Sequence, residues 1–278
     1  MWKIVAAGRL SVLGLLALAM VASATPASTA ATAARHPAVQ GADISWPNCP
    51  KGEGIRSRRS KGEPMPTRSA RFVVLGLTNG PGFHANPCLA NQLAWVNRND
   101  RLIGAYALTT YPGPKALRRY GSAGPYPAGS GHAALRNTGY AEAGYNVRTM
   151  ATIGLKVAMV WVDVEPYPVS PWSRRHTANR AVVSGVIRGY RDAGYQVGLY
   201  TYANGWRQVV GAWRLPKLPT WSTIGLGTET GALRTCTHGP SGGATWLAQW
   251  WRTKHRDFDV VCPGRSPRFT GPTAEVSA

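Results

Sequence analysis

Short apolar stretches recur along this chain, and what separates them changes partway. Segments 41–45, 72–78, 102–109, 157–165, 196–202, 220–224, 245–250 and 258–262 each read as a strand, rich in Val, Ile, Leu and aromatic residues and bounded by Gly, Pro, Asn or Asp. Helical patterns fill the earlier gaps: 88–97, opened by Asn86-Pro87, then 141–153, then 177–193, closed by Gly194, with room for one short helix at 204–213. Beyond that point the gaps hold turns but no long helix. Parallel strands need crossover connections, and alternating strands and helices supply them. The fold class is therefore α/β, a TIM-like (β/α) barrel, irregular, with five βα units and three closing strands. A regular eightfold barrel is the alternative. The stretch 50–71, rich in Lys, Arg, Gly and Pro, reads as an exposed loop after the first strand.

The chain has 278 residues, 44% of them hydrophobic, with 11 Trp and 11 Tyr. That is too apolar for a disordered basic tail. At the N-terminus, Lys3 and Arg9 precede an apolar run over 10–21, and Ala22-Ser23-Ala24 supplies the small residues of a cleavage site. The expected organisation is a signal peptide at 1–24, a flexible linker at 25–40, a barrel domain at 41–264 and a C-terminal tail at 265–278. Export places the protein outside the cell, secreted or held at the wall. In an oxidising compartment the even set Cys49, Cys88, Cys236 and Cys262 reads as disulfides, with three pairings open. No CxxC pair is present, so no metal is expected.

Lys and Arg number 32 against 12 Asp and Glu, a formal charge of +20, which makes each acid informative. In Val157-Ala-Met-Val-Trp-Val-Asp-Val-Glu165 a β-branched strand ends in two acids one residue apart. Side chains alternate along a strand, so Trp161, Asp163 and Glu165 share the barrel interior while Val160, Val162 and Val164 face the covering helices. Residues two apart lie about 6.5–7 Å from each other along the backbone, close enough for one carboxyl to stay ionised while the other keeps its proton. Hydrolysis of a glycosidic bond needs such a pair, and active sites of these barrels lie at the C-terminal strand ends. Asp43 on the first strand and Asp259 on the last become neighbours when the barrel closes. Closure also favours two of the cysteine pairs: Cys49 with Cys88 in adjacent loops, and Cys236 with Cys262 if the last two strands pair.

The landmarks in order are Gly41-x-Asp43-x-Ser45, Phe72-Val-Val-Leu-Gly-Leu, Gly104-Ala-Tyr106, Trp161-Val-Asp163-Val-Glu165, Val197-Gly-Leu-Tyr200, Pro219-Thr-Trp221, Trp246-Leu-Ala-Gln249-Trp250 and Asp259. Over 41–261 this order resembles the family 25 glycoside hydrolases, the lysozyme-type muramidases. The Cys49 and Cys88 framework and Trp46-Pro-Asn-Cys49 look closest to poorly characterised secreted actinobacterial members. The resemblance implies a secreted enzyme cleaving peptidoglycan glycan, with Glu165 as general acid/base, Asp163 orienting the substrate's acetamido group, and Asp43 and Asp259 completing a carboxylate ring. It departs from the family at Thr78-Asn-Gly80, where many relatives carry an acid, and at Val261, where Asn is common.

Tyr106, Tyr200, Trp221 and Trp246 are candidate sugar platforms, and Gln249 is a candidate donor to a hydroxyl or acetamido group. The expected partners are peptidoglycan or another wall glycan, with anionic wall polymers drawn by the positive charge. No nucleic-acid motif, catalytic triad or cofactor signature is present, and a monomer is expected. The competing function is a non-catalytic glycan-binding or morphogenetic protein on the same barrel.

Overall fold

The computed structural model describes residues 38–166, 171–253 and 256–267. The expected signal peptide 1–24, the linker up to 37 and the tail from 268 lie outside the described residues. The elements run β1 (Gln40–Ile44), β2 (Phe72–Gly76), α1 (Leu89–Arg98), β3 (Leu102–Leu108), α2 (Pro114–Tyr120), α3 (Ala133–Thr152), β4 (Met159–Asp163), α4 (His176–Asp192), β5 (Gln196–Thr201), α5 (Ala203–Val210), β6 (Thr220–Leu226), α6 (Glu229–Leu233), β7 (Thr245–Trp251) and β8 (Asp257–Val261). The strands pair in sequence order and close into a barrel. Neighbours are parallel from β1 to β7, whereas β8 is antiparallel to both β7 and β1. The irregular barrel expected from the sequence is present, and closure leaves no strand edge to protect.

Strand alternation divides the core in two. Val160, Val162 and Val164 point outward into a layer shared with Leu93, Val96, Val183 and Val186 of the helices. Phe72, Val74, Met159, Trp161, Tyr200, Trp221, Leu247 and Val261 fill the barrel itself. The best-packed helix pair, α3 with α4, approaches closely because Gly185 and Gly189 face it: a Cβ at Gly189 would stand 2.8 Å from the carbonyl oxygen of Tyr140.

Two helices differ from expectation. α3 begins at Ala133, two turns before 141. Asn137 and Gly139 in those turns interrupt the apolar period, yet both are buried for tertiary reasons. The Asn137 side chain donates to the carbonyls of Gly121 and Tyr126, and Gly139 packs on the backbone of Val182. α2 has no buried residue and so no apolar stripe to detect; Pro114 at its start was its one signal. The basic stretch 50–71 is more tightly held than an exposed loop would be. Ser60 is buried and donates to the carbonyls of Pro47 and Cys49, while the Asn79 side chain accepts from the Ile55 amide.

Candidate active site

The site is built upward from an aromatic floor. Trp161 and Trp221 have no exposed surface, and their rings meet edge to face with centroids 6.0 Å apart. Tyr200 and Tyr106 contact Trp221 in the same geometry, at 4.5 and 5.6 Å. Trp161 lies against Gly198 on the neighbouring strand, where any side chain would collide with its ring. Such edge-to-face packing is favoured by the ring quadrupoles and fills the barrel as layers of side chains normally do.

Above the floor a groove of about 240 Å³ opens at the C-terminal ends of the parallel strands. Asp43, Asp163, Glu165 and Asp257 line it, with Tyr106, Tyr200, Trp221 and Gln249. One hydrogen-bonded network joins five of the residues expected from sequence. Tyr200 donates its hydroxyl to Gln249 Oε1 at 2.8 Å, and Gln249 Nε2 donates to Asp43 Oδ1 at 2.7 Å. Asp43 shares a hydrogen bond with Asp259, whose Oδ1 accepts from Trp221 Nε1 at 2.8 Å. Glu165 lies outside this network; its backbone carbonyl accepts from Trp172 Nε1 at 2.9 Å, which fixes the chain leaving β4 and leaves the carboxyl to the groove.

The electrostatics follow from crowding acids into a small volume with little solvent. Burial, then the charge of Asp259, raises the Asp43 carboxyl well above its usual range. Burial, then the charge of Asp257, likewise raises Asp259 well above its usual range, so two adjacent buried carboxyls that both resist ionisation share a hydrogen bond. Burial, then the charges of Glu165 and Asp43, raises Asp163 strongly. Burial raises Glu165 to about 7. The Asp163/Glu165 pair therefore retains a proton near neutral pH while still able to ionise. Asp163 Oδ1 is buried and has no hydrogen-bond partner among the described residues, which leaves an acceptor open toward the groove.

Two expected site residues stand elsewhere. Asp259 has no exposed surface and does not line the groove; it lies behind Asp43 as an anchor for Trp221. Trp246 is half-buried at the start of β7, at the end of the barrel opposite the groove. Strand direction explains the first. β8 runs antiparallel, so its earlier residue is nearer the mouth: Asp259 pairs with Gly41 and Gln249, whereas Asp257 pairs with Trp251 at the top of β7. Asp257 and Trp251 accordingly line the groove, and the sequence reading passed over both. The period of two already placed Asp257 on the face of Asp259; the missing information was the direction of the strand. Burial, then Asp43, Glu63 and Glu165, raises Asp257 well above the normal carboxylate range.

The disulfides are Cys49–Cys88 and Cys236–Cys262. The first ties the exit of β1 to the start of α1, beside the groove, and the second staples β8 to the segment before β7. Their separations of 39 and 26 residues correspond to about 4 and 3.5 kcal/mol of loop-closure stabilisation. Cys49, Glu53 and Cys88 are close enough together to suggest a cation site, but the two sulfurs are bonded to each other and offer no thiolate.

Residues 133–230, which contain β4 and both of its acids, match the family described as lysozyme-like protein 1, Lys-1. A segment of 55 residues is 38% identical to a probable GH family 25 lysozyme 4 of Dictyostelium discoideum, spanning 20% of this chain and 24% of that relative. In three dimensions the chain superposes on the bacterial lysozyme of Streptomyces coelicolor with a TM-score of 0.54 at 17% identity, over 83% of this chain and 94% of that one. On a family GH25 lysozyme from Aspergillus fumigatus the TM-score is 0.53 at 15% identity, over 81% and 93%. Strand order, closure and these superpositions together place the chain in the fold of the family 25 lysozymes.

Proposed function

We propose that this protein is a secreted glycoside hydrolase that cleaves the glycan of bacterial peptidoglycan in the manner of an N-acetylmuramidase. The observation that carries the reading is the convergence of Asp163 and Glu165 at the mouth of the barrel, with Glu165 raised to about 7. An acid tuned to that range can donate a proton and take one back near neutral pH.

The chemistry follows from the two positions. Glu165 protonates the glycosidic oxygen as its bond to the anomeric carbon breaks. The acetamido oxygen of the same sugar attacks that carbon from the other face, forming a cyclic oxazolinium ion. Asp163 accepts the acetamido N–H at its open Oδ1, which favours the ionised form of Asp163 and leaves the pair's proton on Glu165. Water then opens the ring, giving its proton to Glu165, and the configuration is retained. Asp43, locked by Gln249 and Asp259, holds the floor and supplies polarity beneath the sugar. The N-terminal apolar run supports export, and the charge of +20 favours residence on an anionic wall.

Release of reducing ends from purified peptidoglycan tests the reading. Turnover by the native protein and its loss in Glu165→Gln are expected. Binding to wall glycan without any turnover would replace the hydrolase with a glycan-binding protein on the same barrel.

A further inference from the structure

A second cavity lies beside the groove, and nothing in the glycosidic chemistry uses it. Its volume is about 340 Å³, within the range of small-ligand pockets. The same two stretches of chain build both. The segment after β2 contributes Thr78 and Gly80 to the groove, then Phe83 to the cavity; the end of β3 contributes Leu108 to the groove, and the segment after it Tyr111 to the cavity. Phe83 stacks on Tyr120 with ring centroids 4.4 Å apart, so one side of the cavity is an aromatic pair. Exposed Lys115 and Arg119 of α2 stand on its rim.

Glu142 of α3 also lines this cavity. It is 2% exposed, and its Oε1 has no hydrogen-bond partner among the described residues. A buried carboxyl without partners is costly and calls for a ligand to satisfy it. Burial raises Glu142 to about 8, so at neutral pH it carries a proton and presents one donor and one acceptor side by side. One residue of an extended peptide turns its own N–H and C=O to the same side and presents the complementary pair. The two cations on the rim select a carboxylate, and the aromatic wall suits small apolar side chains.

Resting on the peptidoglycan reading above, we propose that this cavity binds the peptide part of the wall polymer: a short, acidic peptide whose backbone meets Glu142 and whose carboxylate meets Lys115 and Arg119. A glycan strand in the groove then places a sugar-linked peptide over the adjoining loops, and peptide-bearing sugars are favoured over bare ones.

Calorimetric titration of the full chain with a synthetic Ala-Glu-Lys-Ala peptide, amino-terminally acetylated and with a free C-terminal carboxylate, tests this independently of turnover. The peptide is expected to bind, and its C-terminal amide to bind at least tenfold more weakly. Lys115→Glu/Arg119→Glu, on an exposed helix face, is expected to weaken the peptide at least tenfold and the isolated GlcNAc–MurNAc disaccharide less than twofold; Glu142→Met is expected to abolish the preference for peptide. Glu165→Gln is expected to bind the peptide as the native protein does. No binding, or binding indifferent to the rim charges, overturns the proposal even if the protein cleaves glycan. Rim-dependent peptide binding in a protein that cleaves nothing overturns the hydrolase reading and leaves this site standing.

Discussion

β4 with the two residues after it, and β8, each bring two acids separated by one residue, and they use them in opposite order. On β4, which runs toward the mouth, the later acid Glu165 is the outer one and Asp163 sits deeper. On β8, which runs away from the mouth, the earlier acid Asp257 is outer and Asp259 is sealed behind Asp43. The same spacing thus produces a titrating pair on one strand and a groove-facing acid with a structural anchor on the other. Chemical type and period place a carboxyl on a face; the direction of the strand decides whether substrate can reach it.

Substitutions at the four positions should separate along that line. Glu165→Gln is expected to lower kcat/KM by about 10³-fold, the usual scale for a lost acid/base. In the substrate-free protein the proton-donating form is lost as pH rises through about 7, so kcat/KM should fall on the alkaline side near that value, as a pH–rate profile on soluble glycan would show. Asp163→Asn is expected to cost about 10²-fold, mostly in kcat, because the amide cannot favour the acetamido N–H as a carboxylate does. Equal effects in kcat and KM for both variants would break the distinction between proton donor and orienting group.

On the closing strand the expected effects are smaller and divide differently. Asp257→Asn should raise KM by about tenfold or less with an unchanged melting temperature, since its carboxyl faces the groove. Asp259→Ala should act first on stability: it strands the Trp221 N–H and the Asp43 carboxyl, a cost of about 1–3 kcal/mol that appears as a fall of several degrees in Tm. A normal Tm for Asp259→Ala would contradict its role as an anchor. Glu142 supplies the control for a buried acid away from the barrel. Its folded value of about 8 lies above the ordinary glutamate value of about 4.5, so the folded state binds the extra proton between those values. Stability should therefore fall as pH rises from about 4.5 to 8, and Glu142→Gln should flatten that slope by at most about 1.4 kcal/mol per pH unit, measured by thermal melts.

Much of this arrangement is legible in the sequence for local reasons. The valines of β4 alternate with Trp161 and Asp163 strictly enough to assign both faces, and all eight strands begin within two residues of the segments read from pattern. Both disulfides follow from strand order. What the residues do not disclose locally is antiparallel closure, because Phe258-Asp-Val-Val reads the same in either direction; that ambiguity put Asp259 at the mouth and hid Asp257. Trp246 was misplaced for a different reason. Trp246 stands five residues before Trp251, so the period of two gives them opposite faces; a register shift at the start of β7 lets Trp246 pack against the barrel interior, and only Trp251 lies at the groove end. The early turns of α3 were hidden because Asn137 and Gly139 serve neighbouring segments and break the apolar stripe.

Trp161 and Trp221, both without exposed surface, fill the barrel beneath the acids. In the hydrolysis proposed above, water reaches the acids through the groove, into space vacated by the departing half of the glycan. On that reading traffic through the groove is sequential: release of the first product comes before the arrival of the second reactant.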